Sequence, residues 1–333
     1  MFQIPFVLWL SEAFKKQRPG LAERLPNYLQ RRFMTDDLIH TLPDLLGFSF
    51  TTHNPGRSLF REEWTFRSRI IVDGERKIDR RDYDTDIAVI ADDLTYRRDL
   101  MARQDRTFRE KVWAHECNTI GKLREAQQIF SGVELDLVFD EKQMVFDVNH
   151  PPTPSIGLQL ADALAALENP AALKYWFDIK NLTPENAAPM CAALETVCDQ
   201  FALVRANLII ESMVAQGLGP FRQAGFRTSY YLPTPFLRKL ARQSFRRISS
   251  RDRAEIDNIN RQFGDARAWA VSVDGYLVEF VARFMPTAKH VLAWYQDKSP
   301  YDHFRRIEMR DLLDREKRLA VLLVKHPSRH DRR

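Results

Sequence analysis

Two carboxylates and two histidines lie close together in this sequence. Glu134 and Asp136 are two residues apart in the apolar segment GVELDLVF, and His115 and His150 flank that segment. Side chains two apart in a β-strand project from the same face, so the two carboxylates would lie side by side. Burying both is costly unless a cation or a base neutralises them. We therefore predict a divalent-metal site with histidines for proton transfer, the combination that phosphodiester cleavage requires.

The bulk composition indicates a globular protein that favours anionic ligands. The chain has 333 residues, of which 44% are hydrophobic and 29% charged, and a net charge of +5. We expect no nucleic-acid partner, because no basic motif interleaved with aromatic residues occurs. No apolar run reaches the roughly 18–20 residues of a membrane span. The apolar opening MFQIPFVLWL lacks the features of a signal peptide, so the chain read alone is expected in the cytoplasm.

Eight strand-like segments alternate with helix-like segments from residue 110 onwards. They are nearly continuous apolar runs, as in strands that are buried on both faces of a parallel sheet. The predicted strands are 111–115, 132–139, 173–180, 205–212, 226–233, 268–274, 290–296 and 318–325. Eight β–α units over about 220 residues match the α/β fold of the (β/α)8 TIM barrel.

The predicted barrel brings the polar residues together. In this fold the chemistry occurs at the carboxyl ends of the strands. His115 ends the first predicted strand, Asp178 the third and Glu211 the fourth, while His150 follows the second. The carboxylate pair lies within the second strand. These side chains are therefore expected around one mouth of the barrel.

The first 109 residues do not continue this alternation. Residues 4–11 are predicted to form a strand, and residues 35–48 a helix that has Thr35 as its N-cap and ends near Gly47. The predicted organisation has four parts, which are a partial domain over 1–95, a helical linker over 96–109, the barrel over 110–326 and a basic tail over 327–333.

The segment 113–181 resembles the phosphodiesterase barrels related to phosphatidylinositol-specific phospholipase C. The shared pattern is a histidine at the end of the first strand followed by an asparagine, Glu-x-Asp on the second strand, a second histidine, and an acidic-x-Lys pair on the third. In this chain the pattern falls on His115, Asn118, Glu134, Asp136, His150, Asp178 and Lys180. The segment is similar to glycerophosphodiester phosphodiesterases, spider sphingomyelinase D toxins and menorin-type domains. Cys117 stands before Asn118 where glycerophosphodiesterases carry a glutamate, and the resulting His-x-x-Asn form is closer to the other two.

This resemblance implies a metal-dependent phosphodiesterase. Glu134, Asp136 and Asp178 would hold Mg²⁺ or Ca²⁺, which prefer oxygen ligands. The cation and Lys180 would neutralise the phosphate. One histidine would deprotonate the attacking hydroxyl and the other would protonate the leaving oxygen.

Three further residues are assigned to the substrate, which is expected to be a lipid- or glycan-linked phosphodiester. Asn118 would contact the phosphate or orient His115. Glu211 is interpreted as a substrate contact or, alternatively, as a member of a rim ion pair. Trp294 is interpreted as the wall of a headgroup pocket or, alternatively, as part of the core.

The segment 4–11, together with 35–48 and NPGRSLF at 54–60, resembles the carboxyl end of phosphoethanolamine transferases of the sulfatase and alkaline phosphatase superfamily. Those enzymes are anchored in the bacterial inner membrane, and their threonine nucleophile and zinc ligands lie upstream of the matching strand. The resemblance therefore implies that 1–95 is a C-terminal remnant of a sulfatase-like α/β domain. A chain that ends such an enzyme would face the periplasm.

Three functions remain open from the sequence. They are phosphodiester cleavage, phosphoethanolamine transfer with the barrel as an accessory, and a module that binds phosphodiesters without cleaving them. The basic stretch 236–253 has Leu237, Leu240, Phe245 and Ile248 on its apolar side. It is interpreted as an outer barrel helix or, alternatively, as a contact to an anionic membrane surface. The oligomeric state is left open.

Overall fold

The chain divides into two compact units, Met1–Thr95 and Tyr96–Arg333. A computed structural model describes residues 6–29, 31–65, 70–73, 79–82, 90–242, 248–328 and 330. No described helix is long and apolar enough to cross a bilayer.

The first unit consists of short helices and a hairpin. Its elements are α1 (Glu12–Gln17), α2 (Pro19–Arg24), α3 (Leu38–Leu46), β1 (Ile70–Asp73) and β2 (Asp79–Asp82), and the two strands pair in antiparallel orientation.

The predicted strand over 4–11 is wrong for the described residues 6–11. Residues 6–10 have no regular structure, and Ser11 caps α1 by accepting a hydrogen bond from the Phe14 N–H at 3.1 Å. Val7 and Trp9 are 85% and 80% exposed. An apolar segment forms a stable strand only when neighbouring strands pair with its backbone, and no described strand pairs with this one.

The helix predicted over 35–48 is present, but its cap is different. A 3₁₀ turn over Thr35–Asp37 leads into α3, and Gly47 ends α3 at φ 83°, a left-handed conformation that glycine adopts readily. The predicted Thr35 cap is wrong. The residue before the turn is Met34, and its N–H donates to the Asp37 carboxylate at 2.9 Å. The acidic side chain therefore satisfies the backbone at this end.

Eight parallel strands close into a barrel in the second unit. The strands are β3 (Val112–His115), β4 (Gly132–Asp140), β6 (Lys174–Ile179), β7 (Leu208–Ser212), β8 (Arg227–Tyr231), β9 (Ala270–Asp274), β10 (Val291–Trp294) and β11 (Leu319–Lys325). Each lies within or nearly within a predicted segment. Pairing runs from β4 through β6 to β11, and β3 pairs with both β11 and β4, which closes the sheet. The predicted TIM barrel is confirmed.

Helices cover the outside of the barrel. After α4 (Ile90–Ala102), which runs across the boundary between the two units, they are α5 (Arg106–Lys111), α6 (Ile120–Gln127), α7 (Leu160–Ala165), α8 (Ala187–Gln200), α9 (Gly219–Gln223), α10 (Thr234–Ala241), α11 (Ser250–Ala266), α12 (Val278–Phe284) and α13 (His303–Arg315). Asp105, Thr119, Ser249 and Asp302 each begin a helix by accepting a hydrogen bond from the N–H three residues on. Their short polar side chains therefore fix where four of these helices start.

The basic stretch 236–253 begins in α10, whose apolar side packs on the barrel. Leu237 and Leu240 are buried, and Phe245 lies outside the described residues. The described part is not one helix, because α10 ends at Ala241 and α11 begins only at Ser250. Its basic residues are exposed.

Strand register decides which side chains face the inside of the barrel. It aligns Glu134 with Trp176, Asp136 with Asp178, and Asp178 with Glu211. Because alternate residues of a strand face opposite sides, all five side chains project into the same interior. Below the polar layer, the interior is filled by Trp113, Trp176, Ile209, Ala270, Leu292, Val321 and Leu323.

The hairpin of β4 and β5 (Val145–Val148) carries the chain back to the mouth. The end of β4 extends beyond the barrel, and β5 returns antiparallel to it, with Val148 opposite Leu137. The Asn149 N–H then donates to the Asp136 carbonyl at 3.0 Å. His150 therefore follows directly beside the acidic strand.

Candidate active site

Three carboxylates meet at the carboxyl ends of two neighbouring strands. Glu134 and Asp136 of β4 and Asp178 of β6 each offer an oxygen, and these oxygens lie within 4.8 Å of one another. Glu134 and Asp136 are each only 2% exposed. Three like charges at this separation repel one another, and burial adds to the cost. The cluster therefore requires positive charge.

Lys180 supplies part of that charge. Its Nζ lies 2.5 Å from Asp136 Oδ1 and 2.5 Å from Asp178 Oδ2. Its backbone N–H donates to the Leu137 carbonyl at 2.9 Å and so continues the parallel pairing beyond β6. Burial alone would lower the pKa of Lys180, but the charges of Asp178, Asp136 and Glu134 outweigh it and raise the pKa. One ammonium against three carboxylates leaves the site acidic.

The pKa of Glu134 is raised well above its usual value by burial and by the neighbouring Asp136. Burial also raises the pKa of Asp178. Glu134 Oε2 accepts a hydrogen bond of 2.6 Å from the Glu116 N–H. Glu116 has φ 54°, an uncommon value for a residue other than glycine. The loop after β3 thus presents a backbone donor to the buried carboxylate.

Asn118 is placed against Asp136. Its Nδ2 donates to Asp136 Oδ2 at 2.6 Å, and its Oδ1 accepts from the Asp136 N–H at 3.0 Å. The sequence analysis expected Asn118 to contact the phosphate or to orient His115, and neither alternative included this contact with Asp136. As placed, Asn118 orients the carboxylate.

The two histidines border the same acidic cluster. His115 Nε2 lies 3.8 Å from Glu134 Oε2, and burial lowers the pKa of His115 despite the nearby Glu116 and Asp136 carboxylates. His150 is exposed at the edge of the same pocket. A partly buried imidazole and an exposed one therefore both line the pocket beside the cluster.

These groups line a pocket of about 70 Å³. Trp294 contributes to its wall while packing against Tyr231, with ring centroids 4.9 Å apart. Trp294 is only 8% exposed, so it belongs both to the pocket and to the packed interior. The pocket is therefore small, and most of the residues that line it are polar.

Glu211 lies in the pocket beside Asp178 rather than in a rim ion pair. It is 2% exposed, and burial together with the Asp178 charge raises its pKa well above the usual value. Its Oε2 has no hydrogen-bond partner among the described residues. Asp274, the carboxylate that ends β9, does form a rim ion pair, with Arg238.

Sequence reasoning missed five of the lining residues. They are Glu116, Trp176, Tyr231, Gln296 and Leu323. The period of two along a strand could have found two of them, because Trp176 precedes Asp178 by two residues and Gln296 follows Trp294 by two. The backbone donor of Glu116 has no sequence signal.

Comparison with known proteins gave partial likenesses. No family model matches the chain. Phosphoethanolamine transferase EptC of Escherichia coli K12 is 33% identical over 85 residues, which is 26% of this chain. The chain thus spans only 14% of the length of that relative.

Solved barrels of phosphodiesterases are also similar to this chain. A glycerophosphodiester phosphodiesterase from Parabacteroides distasonis is 14% identical, with a TM-score of 0.45, over 64% of this chain and 92% of that one. A calcium-dependent phosphoinositol-specific phospholipase C from a Pseudomonas species is 10% identical, with a TM-score of 0.41, over 64% and 87%.

Proposed function

We propose that this protein is a metal-dependent phosphodiesterase that acts on a lipid- or glycan-linked phosphodiester. The observation that supports this most directly is the convergence of Glu134, Asp136, Asp178, Lys180 and His115 on one pocket. Oxygen ligands for a cation, a fixed positive charge for a phosphate and an imidazole for proton transfer are the parts that this reaction requires.

Glu134, Asp136 and Asp178 would hold Mg²⁺ or Ca²⁺. Their donor atoms are all oxygens and lie within 4.8 Å of one another, which suits one hard cation. When bound, such a cation supplies charge stabilisation at the phosphoryl oxygens. Asn118 acts through Asp136, because its two hydrogen bonds fix that carboxylate.

The histidines carry the proton transfers in this proposal. One of His115 and His150 takes the proton of the attacking hydroxyl, and the other returns a proton to the leaving oxygen. Lys180 stays protonated between Asp136 and Asp178 and faces the phosphate from the pocket wall. Glu211 and Trp294 also line the pocket and are proposed to contact the substrate.

The test is a turnover assay on the full chain. Bis(p-nitrophenyl) phosphate, glycerophosphocholine, a lysophospholipid and sphingomyelin are each supplied with Mg²⁺, Ca²⁺ or EDTA. We expect cation-dependent release of product that falls about 10²–10⁴-fold in His115→Ala and His150→Ala. His290→Ala is the matched control, because His290 stacks on Trp269 at the opposite end of the barrel with ring centroids 4.4 Å apart. Full activity in both active-site variants would refute the proposal.

A second candidate follows from the match to phosphoethanolamine transferase EptC. It holds that residues 1–95 derive from the carboxyl end of such an enzyme and that the barrel is an accessory. The genomic DNA upstream of Met1, together with the mass of the native protein, decides this. An upstream membrane-spanning segment and zinc-site sequence would support transfer, and a native mass equal to that of this chain would refute it.

A further inference from the structure

A second pocket opens beside the candidate active site at the same end of the barrel. Its volume is about 450 Å³, and we call it the distal pocket. The residues that matter for its chemistry are Arg238, Arg242, Asp274, Tyr276, Gln296 and Asp297.

The two pockets share a wall. Gln296 lines both of them. Asp274, which lines the distal pocket, is aligned in register with Trp294, which lines the catalytic one. Residues so aligned on paired strands lie about 5 Å apart. A ligand anchored in one pocket can therefore extend into the other.

The two pockets differ in volume, and each suits a different part of the substrate. The catalytic pocket of about 70 Å³ is the smaller one, and in this proposal it takes the phosphoryl centre while the alcohol portions of the phosphodiester lie outside it. The distal pocket, at about 450 Å³, has the size of an ordinary small-molecule site. It is the adjoining space in which one alcohol portion fits.

Hydrogen bonding leaves the distal pocket with an excess of donors. Asp274 Oδ1 accepts from the Tyr276 N–H at 2.9 Å, and Oδ2 accepts from Arg238. Asp297 Oδ2 accepts from the Tyr276 hydroxyl at 2.8 Å. Both oxygens of Asp274 and one oxygen of Asp297 thus already accept a hydrogen bond. A guanidinium has five N–H donors, so Arg238 keeps several that are not used by Asp274.

Arg242 adds a second guanidinium at the end of α10. It follows Arg238 by four residues, which places both side chains on one side of the helix. Its side chain is exposed, and it pairs with no carboxylate in the described part of the chain. The pocket thus presents two neighbouring guanidinium groups to a ligand.

We propose that the distal pocket binds a second anionic group, a carboxylate or a phosphate, carried by one alcohol portion of the phosphodiester, with Arg242 and Arg238 as donors. This inference rests on the proposed function. It narrows the substrate class to phosphodiesters with an acidic headgroup, and it disfavours headgroups that are neutral or carry an ammonium group.

The test is a binding measurement that needs no turnover. Calorimetry measures the affinity for alkyl phosphonates, in which the phosphonate is the anchor, in the presence of Mg²⁺ or Ca²⁺. These affinities are compared with those for ω-carboxyalkyl, ω-phosphonoalkyl and ω-aminoalkyl phosphonates of three to eight methylenes. At the chain length that spans the two pockets, we expect a distal anion to tighten binding about fivefold. Arg242→Gln is expected to remove this gain, and Arg253→Gln, at an exposed arginine of α11, to retain it.

A gain that Arg242→Gln removes supports the proposal, whether or not the protein turns over any phosphodiester. Equal binding of all the phosphonates, or tighter binding of the amino compounds, overturns it. A gain that survives in Arg242→Gln also overturns it. Failure of every phosphonate to bind would overturn both this inference and the proposed function, whereas loss of turnover alone would affect only the latter.

Discussion

Asn118 and Asp136 are joined by two hydrogen bonds, one from the amide Nδ2 to the carboxylate at 2.6 Å and one from the Asp136 N–H to the amide Oδ1 at 3.0 Å. The amide of Asn118 thus binds both the carboxylate and the backbone N–H of Asp136. Asp136 also contacts Lys180, so each of its carboxylate oxygens is engaged. Both the position and the rotation of this carboxylate are therefore fixed before any cation binds.

Asn118→Ala should therefore weaken cation binding without abolishing the fold. Loss of residues that orient metal ligands typically costs 10–100-fold in affinity, and we expect a tenfold weaker affinity for Mg²⁺ or Ca²⁺, at about the lower end of that range. Calorimetry gives this affinity, and circular dichroism checks the fold. Asn260→Ala is the control, because the Asn260 amide donates to the backbone carbonyls of Ile256 and Phe284 in the barrel helices. A cation affinity equal to that of the wild type in Asn118→Ala would show that the amide does not orient the site.

The buried carboxylates should also make the cation-free protein sensitive to pH. The folded-state pKa of Glu134 and of Glu211 is raised, so the folded state binds protons more strongly than the unfolded state. The contribution of these groups to stability is thus greatest at low pH. It falls as the pH rises from the unfolded value of about 4.3 through the raised folded values.

The variant Glu134→Gln tests whether the contribution to stability falls as the pH rises. In EDTA at pH 8 it should be more stable than the wild type by about 1–2 kcal/mol, because it removes one of three repelling carboxylates, two of which are buried. The difference should shrink towards pH 5, and the variant should bind cations more weakly. Urea unfolding with EDTA at several pH values measures the effect. A variant that is less stable than the wild type at pH 8 would contradict the prediction.

Much of the barrel and of its site could be predicted because one physical pattern specifies both. A strand buried on both faces must be apolar along its length, so β4 and β6 are visible as apolar runs with a few acidic interruptions. Glu134, Asp136 and Asp178 are those interruptions. Since parallel strands bring their carboxyl ends to one edge, their convergence follows from the fold.

The errors arise where the local pattern of residue types does not decide the structure. Val7 and Trp9 lie in a strand-like segment, yet no described strand pairs with it, so the pattern alone was misleading. At Met34, a carboxylate three residues later satisfies the backbone N–H, and Thr35 does not act as the cap. The donor from Glu116 depends on a left-handed residue, which sequence does not encode for a glutamate.

A matched pair of glycines tests how tightly the barrel interior is packed. At Gly132, the first residue of β4, an added Cβ would lie 2.3 Å from the buried ring of Trp113. At Gly264, within α11, an added Cβ meets no atom within 4 Å. The same substitution should therefore have opposite effects at the two positions.

Gly132→Ala should destabilise the protein by about 1–3 kcal/mol, because Trp113 has little space to move within the filled interior. Gly264→Ala should stabilise it by roughly 0.5–1 kcal/mol, because alanine favours the helix over the unfolded chain more than glycine does. Urea unfolding of both variants in EDTA isolates these effects from cation binding. If Gly132→Ala is as stable as the wild type, the Trp113 ring has room to shift. The interior of the barrel next to Glu134, two residues after Gly132, is then not rigidly packed.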